Sequence, residues 1–277
     1  MTCVEDAPDA PTITGTSPAS PANDNTPEVQ GTLGAGSPTD VRIYASADCT
    51  GPVAATRPAA EFTAGGIPIT VADNTTTPLS AIAVGETDSA CSNSIDYVED
   101  SAAPDTLIDS GPTGKTNNPS PSFTFHSPQP VAGFECRLDA SAGGTWEPCS
   151  SPKSYTGLAQ GPHKFEVRAI DAAGNADPSP AVRTFNVDTT PPNTLIDSGP
   201  TGPTNNPSPS FAFHSPQPVA GFQCRLDAST GGTWEPCSSP KSYTGLALGP
   251  HKFEVRAIDA AGNADPSPAA RSFRVVP

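Results

Sequence analysis

Cys136 and Cys149 stand 13 positions apart, and so do Cys224 and Cys237. Thiols so placed can ligate a metal or close a loop. No Cys-x-x-Cys occurs and no histidine lies at zinc-finger spacing, so thiolate–metal chemistry lacks its ligand pattern. Paired cysteines in small β-rich modules point instead to disulfides and to an oxidising, extracytoplasmic compartment. Of the seven cysteines, Cys49 and Cys91 then pair by elimination and Cys3 is left over.

Other groupings carry oxygen, nitrogen or aromatic chemistry. Asp171-Ala-Ala-Gly-Asn175-Ala-Asp177, with Asp188 in the next linker, sets hard oxygen donors close together; Asp259, Asn263 and Asp265 repeat them. Calcium takes six to eight oxygens, which loops meeting at a module junction could pool. The competing reading is a plain Gly-Asn hairpin turn. His126 and His163, with Ser127 and Asp171, supply the residue types of a hydrolytic triad, and His214, Ser215, His251 and Asp259 supply them again. Two near-identical active sites in tandem, without a glycine elbow, argue for surface or turn histidines instead. Asp109-Ser-Gly-Pro-Thr-Gly-Lys-Thr116 ends like a phosphate-binding loop. Asp109 stands where that loop needs its first glycine and Pro203 replaces Lys115 in the second copy, and a phosphate cradle could lose neither. Trp146 and Trp234 are the only tryptophans. Alternation counted from Cys149 turns Trp146 outward, where beside Tyr155 it could stack on a sugar; a bulge at Pro148 would turn it inward to close the core. The inward placement is the expectation.

What positions these groups is a duplication. Thr106–Val187 returns 88 residues later, without a gap, with eight exchanges: Lys115/Pro203, Thr124/Ala212, Glu135/Gln223, Ala142/Thr230, Gln160/Leu248, Val182/Ala270, Thr184/Ser272 and Asn186/Arg274. That period is too long for a solenoid unit and suits a self-sufficient small domain. The 277 residues accommodate one further module of similar size. The expected boundaries are 8–103, 104–190 and 191–277. Residues 1–7 would be the remnant of a preceding module, since Val4-Glu5-Asp6 recurs as Val98-Glu99-Asp100.

Within each module apolar residues alternate with polar ones. Val41, Ile43 and Ala45; Ile67, Ile69 and Val71; Leu79, Ala81 and Ala83; and Ile95, Tyr97 and Glu99 mark strands in the first. Phe123 and Phe125; Phe134, Cys136 and Leu138; Phe165, Val167 and Ala169; and Phe185 and Val187 mark them in the first repeat. Period-two runs punctuated by Gly, Pro, Asn and Asp, with no sustained helical period, indicate antiparallel β-sandwiches. A two-residue turn at Ala142-Gly143 would place Cys136 directly opposite Cys149. In plain immunoglobulin order Cys49 and Cys91 fall at opposite ends, so either the chain doubles back after Cys49 or the strand order differs. Asp188-Thr-Thr-Pro-Pro192 reads as a stiff, extended linker.

The net charge of −15 is uneven: residues 1–100 carry 14 acids against Arg42 and Arg57, and residues 189–277 balance six against six. The basic face that nucleic acid requires is missing, and no run of 18 apolar residues could span a membrane.

Phe134-Glu-Cys-Arg-Leu-Asp139, Trp146-Glu-Pro-Cys149 and Gly161-Pro-His-Lys-Phe-Glu-Val-Arg-Ala-Ile-Asp-Ala-Ala-Gly-Asn175 resemble the bacterial immunoglobulin-like repeats of large secreted and surface proteins. Pro11-Thr-Ile-Thr-Gly-Thr16, Asn23-Asp-Asn-Thr-Pro27 and Val71-Ala-Asp-Asn-Thr75 are similar to a second class of such modules. In that class the loop after the penultimate strand often reads Asp-Ala-Ala-Gly-Asn, whereas here it is Asp88-Ser-Ala-Cys91. The resemblance implies an all-β chain of three tandem immunoglobulin-like or fibronectin-III-like sandwiches, acting without catalysis as an extracellular, adhesin-type spacer, a semi-rigid rod whose partners are its neighbouring modules. Self-association into filaments by strand addition, through the residues before Pro8 or through Phe273–Pro277, is the alternative. Glycan binding through the Trp face, a surface protein ligand, or a virion-associated decoration are further ones.

Overall fold

The alternating segments form strands in a computed structural model that describes residues 7–140, 144–228 and 232–277. The first module contains β1 (Thr12–Ser17), β2 (Glu28–Thr32), β3 (Asp40–Tyr44), β4 (Val53–Pro58), the short helix α1 (Ala59–Ala64), β5 (Ile67–Pro68), β6 (Thr76–Val84) and β7 (Ile95–Val98). The first repeat contains β8 (Leu107–Ser110), β9 (Gly114–Thr116), β10 (Ser122–His126), β11 (Gly133–Leu138), β12 (Glu147–Cys149), β13 (Lys153–Ser154), β14 (Gly161–Ile170) and β15 (Ala181–Val187). The second repeat contains β16 (Leu195–Ser198), β17 (Gly202–Thr204), β18 (Ser210–His214), β19 (Gly221–Leu226), β20 (Glu235–Cys237), β21 (Lys241–Ser242), β22 (Gly249–Ile258) and β23 (Ala269–Val275).

Each module is a sandwich of two sheets. In the first repeat β13-β10-β8 faces β12-β11-β14-β15-β9, and the second repeat has the same order. In the first module β1-β2-β5 faces β4-β3-β6-β7. There a single parallel bridge, Ala22 to Glu99, takes the place of the parallel strands β9 and β17. All three modules therefore share one connectivity, the all-β immunoglobulin-like and fibronectin-III-like architecture.

Every module buries its own apolar cluster. In the repeats the cluster is aromatic: Phe123 stacks on Phe165 with ring centroids 4.1 Å apart, and Phe211 on Phe253 at 4.2 Å. Phe185 and Val187 close it from β15, and Phe273 and Val275 from β23. Gly111, at φ +146°, is required twice over: a Cβ there would lie 2.4 Å from the Phe123 ring in a conformation that L residues rarely adopt. Gly199 repeats it against Phe211. The first module is filled mainly by aliphatic residues with Tyr97 and Phe62, and Phe62 comes from α1. Its ring lies so close over Gly31 that a Cβ would meet Phe62 Cζ at 2.3 Å. Six residues are too few to show a helical period, so α1 left no mark in the sequence pattern.

Two expectations are corrected. The β11–β12 register sets Phe134 opposite Cys149 and Cys136 opposite Glu147, so the two cysteines sit diagonally, two residues out of step. Their sulfurs still join, at 2.05 Å with Cα atoms 5.8 Å apart, because a two-residue offset keeps both on one face. The proposed turn at Ala142-Gly143 lies outside the described residues, as do Cys3 and Val4-Glu5-Asp6. In the first module the chain doubles back after β6, not after Cys49. Ser89 N–H donates to Ala83 O and Ser92 N–H to Ala81 O, while the Ser89 and Ser92 hydroxyls accept from the Ala83 and Ala81 amides. This return arm carries Cys91 back along β6 to Cys49, whose own N–H donates to Ser80 Oγ, and the S–S bond of 2.08 Å forms there.

Candidate functional site

The loop between β14 and β15 is built around Asp171. Its Oδ1 accepts the N–H groups of Ala173 (2.9 Å) and Asn175 (2.8 Å), and its Oδ2 accepts Asn175 Nδ2 (2.9 Å). Asp259 holds Ala261 and Asn263 in the same way. Burial pushes the Asp259 carboxyl up, but the hydrogen bonds from Asn263, Ala261 and Gly262 outweigh it and hold the group below its usual range. Asp177 and Asp265 use Oδ1 to accept from Ser179 and Ser267, backbone and hydroxyl. Asp265 Oδ2 is buried without a hydrogen-bond partner among the described residues. The donor set expected for calcium therefore does not fit: the Asp171 oxygens face N–H groups, and Asn175 turns its nitrogen, not its oxygen, toward them. Among the described residues no three acidic, histidine or cysteine side chains are grouped as a metal ion requires.

The histidines are structural. His163 Nδ1 lies 2.7 Å from Asp139 Oδ2 and Nε2 lies 2.8 Å from Ala159 O, while the ring stacks on Phe185. His251 repeats this with Asp227, Ala247 and Phe273. Both nitrogens face acceptors, so the doubly protonated ring fits the site. The Ala159 carbonyl and Asp139 raise the His163 pKa against the opposing effect of burial. A ring with both nitrogens committed cannot take a proton from a nucleophile. His126 pairs with Asp109 at 2.8 Å and His214 with Asp197 at 2.7 Å, on half-exposed side chains. Ser127 bonds Gln129 instead of a histidine, so the triad is not assembled. Asp109–Thr116 runs from the end of one short strand, through three residues outside any strand, into another, and is not a loop opening a helix.

On the outer face of the larger sheet Glu166 is the centre of a network missed in the sequence. Arg137 grips it with Nε and Nη2, at 2.9 and 3.1 Å, and Lys164 Nζ adds a contact at 2.8 Å. Burial pushes the Glu166 carboxyl up, yet Arg137 and Lys164 carry it below the usual range. Alternation of Arg137, Glu166 and Arg168 opposite the core residues was the available signal; the cross-strand pairing of Arg137 with Glu166 needed the register. Trp146 lies over this network with the guanidiniums of Arg137 and Arg168 at 4.2 and 4.5 Å from its ring centroid. Trp234 meets Arg225 and Arg256 at 4.3 and 4.5 Å. The expectation that Trp146 closes the core does not hold. β11 and β12 pair without a bulge, so parity sends the indole outward, where it is half-buried on the two arginines.

Strand addition meets a closed door at the carboxyl end. Phe273–Val275 is hydrogen-bonded on both sides, to β22 and to β17. The edge strands β12 and β20 each carry a central proline, which removes the N–H an incoming strand would need.

No protein-family model matches the chain, and no curated protein matches it. Solved structures similar to it in fold include fibronectin(III)-like modules of CbhA from Clostridium thermocellum, at 18% identity and TM-score 0.45, covering 62% of this chain and 94% of that one. The FN1–FN3 domains of chicken CNTN1 align over 98% of this chain and 99% of theirs, at 13% identity and TM-score 0.40. The three N-terminal domains of the Highly Immunogenic Outer Capsid protein of bacteriophage RB49 align over 97% and 99%, at 8% identity and TM-score 0.45.

Proposed function

We propose that this chain is a non-catalytic spacer, a stretch of tandem sandwiches in a bacterial extracellular surface protein of adhesin type. One observation carries the reading. Among the described residues the paired cysteines, His163 and the Glu166 network are bonded into the scaffold, and the bonds of one repeat recur in its neighbour. His163 with Asp139 and Ala159 returns as His251 with Asp227 and Ala247. Arg137 with Glu166 returns as Arg225 with Glu254. Duplication that preserves scaffold bonds and, among the described residues, brings together no new metal-binding group adds length. The three disulfides support an oxidising, extracellular setting.

Electron microscopy of the purified chain over a range of concentrations tests this. Separate elongated particles of uniform length are expected. Growth into filaments would overturn it in favour of a polymerising subunit, and specific retention on a glycan array would overturn it in favour of a lectin-like module.

A further inference from the structure

Asn175 is buried, although it sits in a surface loop, because three parts of the chain meet on its amide. Its Nδ2 donates to Asp171 Oδ2 at 2.9 Å and to the backbone carbonyl of Asp100 at 2.8 Å, and its Oδ1 accepts Asn23 Nδ2 at 2.6 Å. Asp100 and Asn23 belong to the preceding module. Between the two repeats Asn263 Nδ2 donates to Asp259 Oδ2 at 2.8 Å and to the carbonyl of Asp188 at 2.7 Å. Asp100 and Asp188 are equivalent in their own modules. Asp100 N–H donates to Ala22 O and Asp188 N–H to Thr116 O, so each is pinned by the parallel bridge just beyond the last strand. The residue after the bridge is an asparagine in both, Asn23 and Asn117, and a Cβ on Gly262 would lie 3.7 Å from Asn117 Nδ2. The linkers are tied alike on the receiving side: Asp105 N–H donates to Gln129 Oε1 and Asn193 N–H to Gln217 Oε1, both at 3.1 Å.

We infer that the Asp-Ala-Ala-Gly-Asn loop is a docking surface for the C-terminal end of a preceding sandwich, and that it reads the backbone carbonyl just past that sandwich's last strand. The aspartate of the loop holds one N–H of the asparagine amide, so the other points out of the module in a fixed direction before any partner arrives. The partner feature is a main-chain oxygen. This explains how one loop accepts two unlike predecessors, the first module and the first repeat. The first module has no such loop, since Asp88–Cys91 lies in the arm that returns to Cys49. The surface therefore gives the tandem a direction: a repeat can follow either kind of module, and the first module has no matching surface with which to follow a repeat.

The inference rests on the spacer reading, because a fixed junction matters to a protein whose task is reach. Residual dipolar couplings of the full chain separate the two. The wild-type chain is expected to show one alignment tensor for all three modules. Asn263→Ala should free the second repeat alone, and Asn175→Ala the first module alone. Asn23→Ala, which leaves the loop's internal bonds intact, should loosen the first junction without altering any module's melting. Three independent tensors in the wild type would overturn both the docking surface and the semi-rigid spacer. A common tensor that survives Asn175→Ala, Asn263→Ala and Asn23→Ala would overturn the docking surface and leave the spacer standing.

Discussion

The first module and the repeats solve the same problem with different materials. Both must hold a two-sheet sandwich together with a core of modest size. The repeats stack phenylalanines and place their sulfur bond inside one hairpin, 13 residues apart. The first module uses aliphatic side chains, borrows Phe62 from a helix, and spans 42 residues with its bond, from the β3–β4 turn to the arm after β6. The repeats add His163 on Asp139 and a Glu166-centred ion network, while the first module contains no histidine. One connectivity thus tolerates exchange of nearly every stabilising contact, which fits a fold held by alternation and not by particular side chains.

The widest gap between the two designs lies in the disulfides. Loop-closure entropy gives about 4 kcal/mol for the first module's bond and about 3 kcal/mol for each repeat's. Cys49→Ser with Cys91→Ser should therefore lower the first module's unfolding free energy more than Cys136→Ser with Cys149→Ser lowers its own module's, as denaturant titration would read. Pulled from its ends, the reduced chain should gain about 140 Å of contour in the first module and about 45 Å in each repeat. Equal gains would dissolve the contrast.

Next in size is the outer-face network. Glu166→Gln removes a mostly buried charge that Arg137 and Lys164 share, and should destabilise its repeat by about 1–3 kcal/mol. The first module's transition should stay where it was. Trp146 and Trp234 report on the repeats alone, so fluorescence follows this loss without a signal from the first module, and Trp234→Phe removes that of the second repeat.

A smaller difference is one of pH. His163 and His251 have raised pKa values, so their contribution is fully present below the unfolded value of about 6.5 and is lost as pH rises through the folded value. Glu166 and Glu254 are depressed, so theirs is present above the unfolded value and is lost as pH falls through the folded one. Between pH 6 and 9 the melting temperature of the repeats should fall, and His163→Gln should flatten the fall in its module. A histidine-linked drift in the first module would break the comparison. Smallest of all, a calcium titration or a chelator should leave all three transitions unmoved, since Asp171 and Asp259 already bind N–H groups of their own loops.

Much of this was legible from residues alone. Alternation at Phe123 and Phe125, and at Phe165, Val167 and Ala169, marks buried strands because a pleated strand sends every second side chain inward. The duplication fixed the repeat's scale. What escaped was whatever depends on register or on irregular backbone. The diagonal seating of Cys136 and Cys149 could not be counted from a turn whose length was guessed. Trp146 was misplaced because a proline suggested a bulge that β12 lacks. The arm that carries Cys91 back to Cys49 is held by Ser89 and Ser92 hydroxyls, and no periodicity announces those. In the loop weighed for calcium against a plain hairpin turn, the oxygens face the loop's own donors. Its asparagine nitrogen faces the carboxylate, and its second hydrogen reaches a carbonyl 75 positions away in sequence.

Near-identical siblings placed side by side run a particular risk during synthesis. Any strand of one fits the sheet of the other, and swapped assemblies are a known failure of such arrays. The sulfur bond within each β11–β12 or β19–β20 pair turns that segment into a small covalent ring. A ring cannot lend out a single arm. The same short link that toughens each finished bead thus keeps those two strands from being split between adjacent twins.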